Sequence, residues 1–158
     1  MRLVTRRGQR LRNRRERRIQ LVAGYESAQD ALAAGSYDGV VIGSPPHVHV
    51  AQATAALDAG FPVLLEKPVS PGLAGAQTLE QVVKRTGIPL LMGYTWRWWP
   101  PLAEVRQLLA ENKIGAIRNV QFHMSAHLAD WHPWERYQEF FMAHREMGGG
   151  ALLDESHW

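Results

Sequence analysis

Between Ile19 and Gly115 short apolar runs alternate with amphipathic stretches of helical period, and this alternation restricts the fold more than any other feature of the chain. The apolar runs lie in IQLVAGY, DGVVIGSPP, FPVLLEKP and IPLLMGYTWRW. The stretches SAQDALAAG, HVHVAQATAALDAG and PGLAGAQTLEQVVKRTG separate them, and PLAEVRQLLAENKIG follows the last. Such runs are too short for helices and nearly continuous in apolar character, which suits parallel strands covered on both faces. Strands alternating with helices of about 10–15 residues are βαβ units. The punctuation agrees. Ser27 is placed to cap a helix and Gly35 to stop it, Gly60 and Gly87 end the next two, and Pro101 with Gly115 brackets the fourth. The expected class is α/β, a partial Rossmann-like parallel sheet with helices.

After Gly115 the rhythm changes. AIRNVQFHMSAHLADW places Val120, Phe122 and Met124 on one face of an extended chain. That alternation predicts a long strand in an antiparallel sheet with one wet face. The sequence therefore divides into an Arg-rich N-terminal segment over 1–18, a parallel α/β domain over 19–115, and the start of a second α/β domain with an antiparallel sheet over 116–158.

Composition bears on what the chain excludes. Its 158 residues, 46% hydrophobic, are enough for a core of ordinary size. With no cysteine it has neither disulfides nor thiolate chemistry. No apolar run approaches the roughly 20 residues of a membrane helix, and the basic N-terminus lacks the apolar stretch of a secretory signal, so a cytoplasmic chain without a membrane span is expected. The net charge of +3 hides an asymmetry: residues 1–18 hold nine Arg against Glu16, and the remainder holds nine basic and fourteen acidic residues. No aromatic side chains are interleaved with the arginines, so the block reads as a solvated face rather than a nucleic-acid arm.

Ligands of open α/β sheets bind beyond the carboxyl ends of the strands. Three strand ends here are chemically loaded: Ser44-Pro45-Pro46 with His47 and His49, Glu66-Lys67-Pro68, and Tyr94-Thr95-Trp96-Arg97. If these strands are neighbours, one rim carries all three. A polar strand terminus is the plain alternative for Glu66 and Lys67. His47 and His49 are two apart, a spacing that does not share a helix face, and no third ligand stands near them, so no metal is expected. Arg97 lies among Trp96, Trp98 and Trp99, as either a cation–π packing cluster or a ligand contact. Trp131, His132 and Trp134 fall on a loop, packed on the surface or lining a substrate site. Gly148, Gly149 and Gly150 read as a backbone requirement before a helix.

VVIGSPPHVHVAQATAALDAGFPVLLEKPVS, MGYTWRWWP and MGGGALLDESHW, in that order, resemble the Gfo/Idh/MocA oxidoreductases over residues 20–158. The resemblance implies a Rossmann domain followed by an α/β domain with an open antiparallel sheet. It implies hydride transfer between NAD or NADP and a sugar-, inositol- or polyol-like carbinol, and assembly as a homo-oligomer. By the same resemblance Lys67 sits between nicotinamide and substrate, and Asp154 and His157 bind and deprotonate the substrate hydroxyl. Ser44, Pro45, His49, Glu66 and Arg97 fall on the cofactor side, and Tyr94, Trp131 and His132 on the substrate side. The chemistry is coherent: alcohol oxidation needs a base for the hydroxyl proton while hydride departs. A histidine oriented by a carboxylate suits that base, and Lys67 suits the developing oxyanion. Glu66 holds Lys67 charged or binds a ribose hydroxyl.

Against the family pattern, no apolar strand with a Gly-rich phosphate loop is evident ahead of Ile19, and the acidic residue about 20 positions beyond such a loop has no clear counterpart. The expectation is a fragment lacking that loop and most of the C-terminal domain, with impaired or no activity. The alternative is a non-catalytic scaffold or oligomerisation piece whose basic head docks an acidic partner or nucleic acid.

Overall fold

A computed structural model describes residues 2–6, 20–35 and 37–150, with side chains from Ala23 onward. Its strands are β1 (Arg2–Arg6), β2 (Gln20–Tyr25), β3 (Val40–Ile42), β4 (Val63–Leu65) and β5 (Leu90–Met92). The helices are α1 (Ala28–Ala34), α2 (His49–Asp58), α3 (Leu73–Thr86), α4 (Pro100–Ala110) and the short α5 (Leu128–Trp131).

The centre is a parallel sheet in the order β3-β4-β5. Its register is flush: Val40 pairs with Val63 and Val63 with Leu90, and at the other end Ile42 pairs with Leu65 and Leu65 with Met92. The ladder runs one step past the strands, with the Glu66 amide donating to Ile42 O at 2.9 Å and the Gly93 amide to Leu65 O at 2.7 Å. Gly43, Glu66 and Gly93 therefore emerge at one level.

The core joins this sheet to α2 and α3 through Ile42, Ala53, Ala56, Leu57, Val63, Leu65, Leu79 and Val82. Ala53 and Ala56 are fully buried, and their small side chains let α2 lie close against the sheet. Helix ends follow the local chemistry. Ser27 Oγ accepts from the Asp30 amide at 3.1 Å, and α3 stops at Gly87, whose φ of 65° is left-handed and whose amide donates to Val83 O.

Three expectations are corrected. First, the apolar runs predict cover on both faces, yet Val41, Leu64 and Leu91 stand 63%, 38% and 58% exposed. Among the described residues, helices cover the face of Val63 and Leu65 only. Second, residues 2–6 form β1, parallel to β2 with a register shift between Leu3 and Val4. Leu3, Val4 and Thr5 are a short β-prone core that the surrounding arginines mask in a charge count. The rest of the Arg-rich segment lies outside the described residues. Third, residues 117–127 form no strand, and Val120 and Phe122 are exposed. Alternation selects a face, but a strand also needs a neighbour for its amides and carbonyls, and none of the described residues pairs with it. The antiparallel sheet is therefore absent from the described residues. No helix among them is long and apolar enough to cross a membrane.

Candidate active site

The flush register sets the loops after β3 and β4 side by side, and a cleft of about 890 Å³ opens over them. Gly43, Ser44, Pro45, Glu66 and Lys67 line one side. Trp131, His132, Trp134, Phe140, Phe141, Met142 and Met147 line the other, with Glu135, Arg136 and Glu139 completing the lining.

On the strand side, Glu66 is held twice. Its Oε2 accepts from the Lys67 amide at 3.1 Å. Its Oε1 lies against Gly93, where a Cβ would come within 3.0 Å. Ser44 Oγ donates to Gln52 Oε1 at 2.6 Å, which ties the loop after β3 to α2.

His49 does not open onto the cleft. It is fully buried beneath the rim, with Nε2 2.6 Å from Ser44 O and Nδ1 2.8 Å from Pro68 O. One ring thus joins the two loops that carry the candidate cofactor and lysine positions. His47, two residues earlier, is exposed. Tyr94 is half-buried and Arg97 exposed, and neither lines the cleft. The Arg97 carbonyl accepts from Arg106, while Trp96 and Trp99 meet edge to face with centroids 4.8 Å apart.

The far wall is aromatic and internally packed. His132 stacks on Phe140 at 4.5 Å and lies 5.0 Å from Trp134, and Phe140 meets Phe141 at 4.7 Å. Glycines seat this wall. A Cβ on Gly149 would strike the backbone oxygens of Phe141 and Met142, the latter at 2.6 Å. Gly148 has φ 85°, and a Cβ there would lie 2.8 Å from Pro46 Cβ at the start of the α2 region. The chain can turn back onto the rim because those two positions have no side chain.

At the edge of the wall, the Glu146 carboxyl is held below its ordinary value, chiefly by a backbone hydrogen bond and with further help from His144, whose Nδ1 lies 3.1 Å away.

The structure thus gathers Ser44, Pro45, Glu66, Lys67, Trp131 and His132 around one cleft. It sets His49 beneath it and leaves Tyr94 and Arg97 off its lining. Asp154 and His157 lie outside the described residues. Pattern reading missed Phe140, Phe141, Met142 and Met147. Their signal was the aromatic density of EFFMAHREM just ahead of the glycine triplet. Chemically, a lysine and a carboxylate at one end of the cleft and flat aromatic faces across from them suit a ligand with a polar edge and a ring.

A sequence model of the oxidoreductase family with the NAD-binding Rossmann fold, Gfo/Idh/MocA, matches residues 3–94. The rhizopine catabolism protein MocA of Rhizobium meliloti is 32% identical over 130 residues, covering 82% of this chain and 38% of that protein. An inositol 2-dehydrogenase of Leifsonia xyli is 35% identical over 96 residues, 59% of this chain and 28% of that one. Among solved structures, scyllo-inositol dehydrogenase from Lactobacillus casei with bound NAD(H) and scyllo-inositol superposes with a TM-score of 0.58 at 27% identity, over 60% of this chain and 28% of that one. The chain spans less than two-fifths of the length of these relatives.

Proposed function

The chain belongs to the Gfo/Idh/MocA oxidoreductase family, with its NAD-binding Rossmann fold, and on that premise we propose that the cleft serves hydride transfer between NAD or NADP and a carbinol of a sugar-, inositol- or polyol-like substrate. One observation carries the reading. Glu66 and Lys67 leave the middle strand of the sheet at the level of both neighbours' ends, and they face the aromatic wall across a cleft of about 890 Å³.

The nicotinamide, when bound, supplies the hydride acceptor or donor. Ser44 and Pro45, at the end of β3, border its side of the cleft. Lys67 donates to the carbinol oxygen and stabilises the negative charge that grows there as the hydroxyl proton is lost. Glu66, whose carboxylate accepts from the Lys67 amide and rests on Gly93, holds the lysine backbone at the rim. Asp154 and His157 receive the hydroxyl proton in this reading, the carboxylate orienting the imidazole. Trp131, Trp134 and Phe140 pack the substrate ring and displace water, which strengthens the charge interaction at Lys67. Residues 19–115 then act as the cofactor domain and 116–158 as the substrate side. A homo-oligomer in the cytoplasm goes with the reading, and Ile117 and Val120 are exposed apolar side chains that a second copy would cover.

The test is titration of the chain with NADH and NADPH followed by fluorescence, then reduction of NAD or NADP in the presence of inositols. Binding with inositol-dependent reduction is expected. Failure to bind either nucleotide overturns the reading.

A further inference from the structure

His132 Nδ1 is buried and has no hydrogen-bond partner, and among the described residues it is the one buried side-chain nitrogen or oxygen in that state. An orphaned buried donor or acceptor costs about 1–3 kcal/mol, so its surroundings call for an explanation. Glu135 Oε2 lies 3.8 Å from it. That is longer than the roughly 2.7–3.2 Å of a formed N–H···O bond, yet close enough for one side-chain adjustment to close it. The backbone keeps the two residues together: the Glu135 amide donates to His132 O at 2.9 Å across a turn, with Pro133 at its second position. The ring stacks on Phe140 at 4.5 Å and meets Trp134 at 5.0 Å, contacts that restrict its plane before any ligand arrives.

We propose that Glu135 and His132 form a carboxylate–imidazole pair that places a proton on His132 Nδ1 and leaves Nε2 as a hydrogen-bond acceptor in the cleft. A carboxylate accepts only, so the ring nitrogen facing it must carry the hydrogen. A neutral imidazole then has its lone pair on the other nitrogen, the one left to the cleft that His132 lines. Lys67 on the opposite side is a donor only. A pair of adjacent hydroxyls on one ring offers both: the carbinol oxygen accepts from Lys67, and its neighbour gives a hydrogen to His132. Such a group satisfies Lys67 and His132 together. The inference rests on the oxidoreductase reading and deepens it. His132 recognises a hydroxyl that has a hydrogen to give, and Glu135 is the positioning residue that sets its tautomer. A deoxy or O-methyl analogue at that position leaves Nε2 without a donor and is rejected.

Long-range proton–nitrogen correlation NMR of the intact chain tests the pair directly. The Nδ1–H form is expected at His132, reverting to the commoner Nε2–H form in Glu135→Leu. An Nε2–H form in the unaltered chain overturns the pair, whatever the chain binds. A second variant, His132→Phe, keeps the stacking ring and removes the nitrogens. NADH affinity should stay within about twofold and inositol affinity should fall about tenfold, the loss of one net hydrogen bond. Unchanged inositol affinity overturns the recognition role. Loss of NADH binding in the unaltered chain counts against the family reading, and the NMR result still decides the pair.

Discussion

Glu66 and Gly93 meet across the ends of two neighbouring parallel strands, so closely that a Cβ on Gly93 would lie 3.0 Å from Glu66 Oε1 and 3.3 Å from Glu66 Cα. The glycine therefore determines where the carboxylate rests, and with it the setting of Lys67, whose amide the same carboxylate accepts. Gly93→Ala pushes the carboxylate off β5 toward the cleft. Overpacking of this kind costs about 1–3 kcal/mol, and the low end is expected because the side chain can give way. NADH should bind several-fold more weakly by fluorescence titration, with the fold intact by circular dichroism. Equal affinity would show that the position of the Glu66 carboxylate is immaterial.

Lys67→Ala separates binding from chemistry. Removing one donor aimed at a developing oxyanion costs about a hundred- to a thousandfold in kcat. Turnover of inositol should drop by that factor while the NADH dissociation constant moves by no more than about twofold. A variant with near-normal kcat would remove Lys67 from the mechanism.

His49→Leu tests the tie beneath the rim. A neutral imidazole has one N–H to give, so the substitution removes the donor from one of the Ser44 and Pro68 carbonyls beneath the rim. At about 1–3 kcal/mol for a buried group left unpaired, stability should fall by at least about 1 kcal/mol in urea unfolding, with an unchanged m-value. A loss below about 0.5 kcal/mol would mean that water or a shifted loop replaces the ring.

Gly149→Ala tests the seat of the aromatic wall. Its Cβ would meet backbone oxygens of Phe141 and Met142, which cannot move aside as a flexible side chain can. Residues 131–147 should lift from the rim. Limited proteolysis would then cut within that segment far faster than in the unaltered chain, while β3, β4, α2 and α3 stay protected. Equal cleavage rates in the two chains would rule out this glycine as the seat.

Much of this was legible in the residue order because it is local. Apolar runs, helix caps such as Ser27 and stops such as Gly87 depend on near neighbours along the chain, so the order of β2 to β5 and α1 to α4 could be read directly. The rim was legible for the same reason, since Ser44, Glu66, Lys67 and Tyr94 each follow an apolar run. Long-range placement was not legible. The flush pairing of Ile42, Leu65 and Met92 sets the loops after β3 and β4 under one cleft, and pairing register arises from contacts between distant segments. The same kind of contact turned His49 inward and left Tyr94 and Arg97 off the cleft lining, and among the described residues 117–127 form no strand. Alternation such as Val120, Phe122 and Met124 names a face but cannot supply the strand that would cover it. The return of Trp131, His132 and Phe140 to the lysine depended on backbone passing close to backbone at Gly149, a contact that no periodicity records.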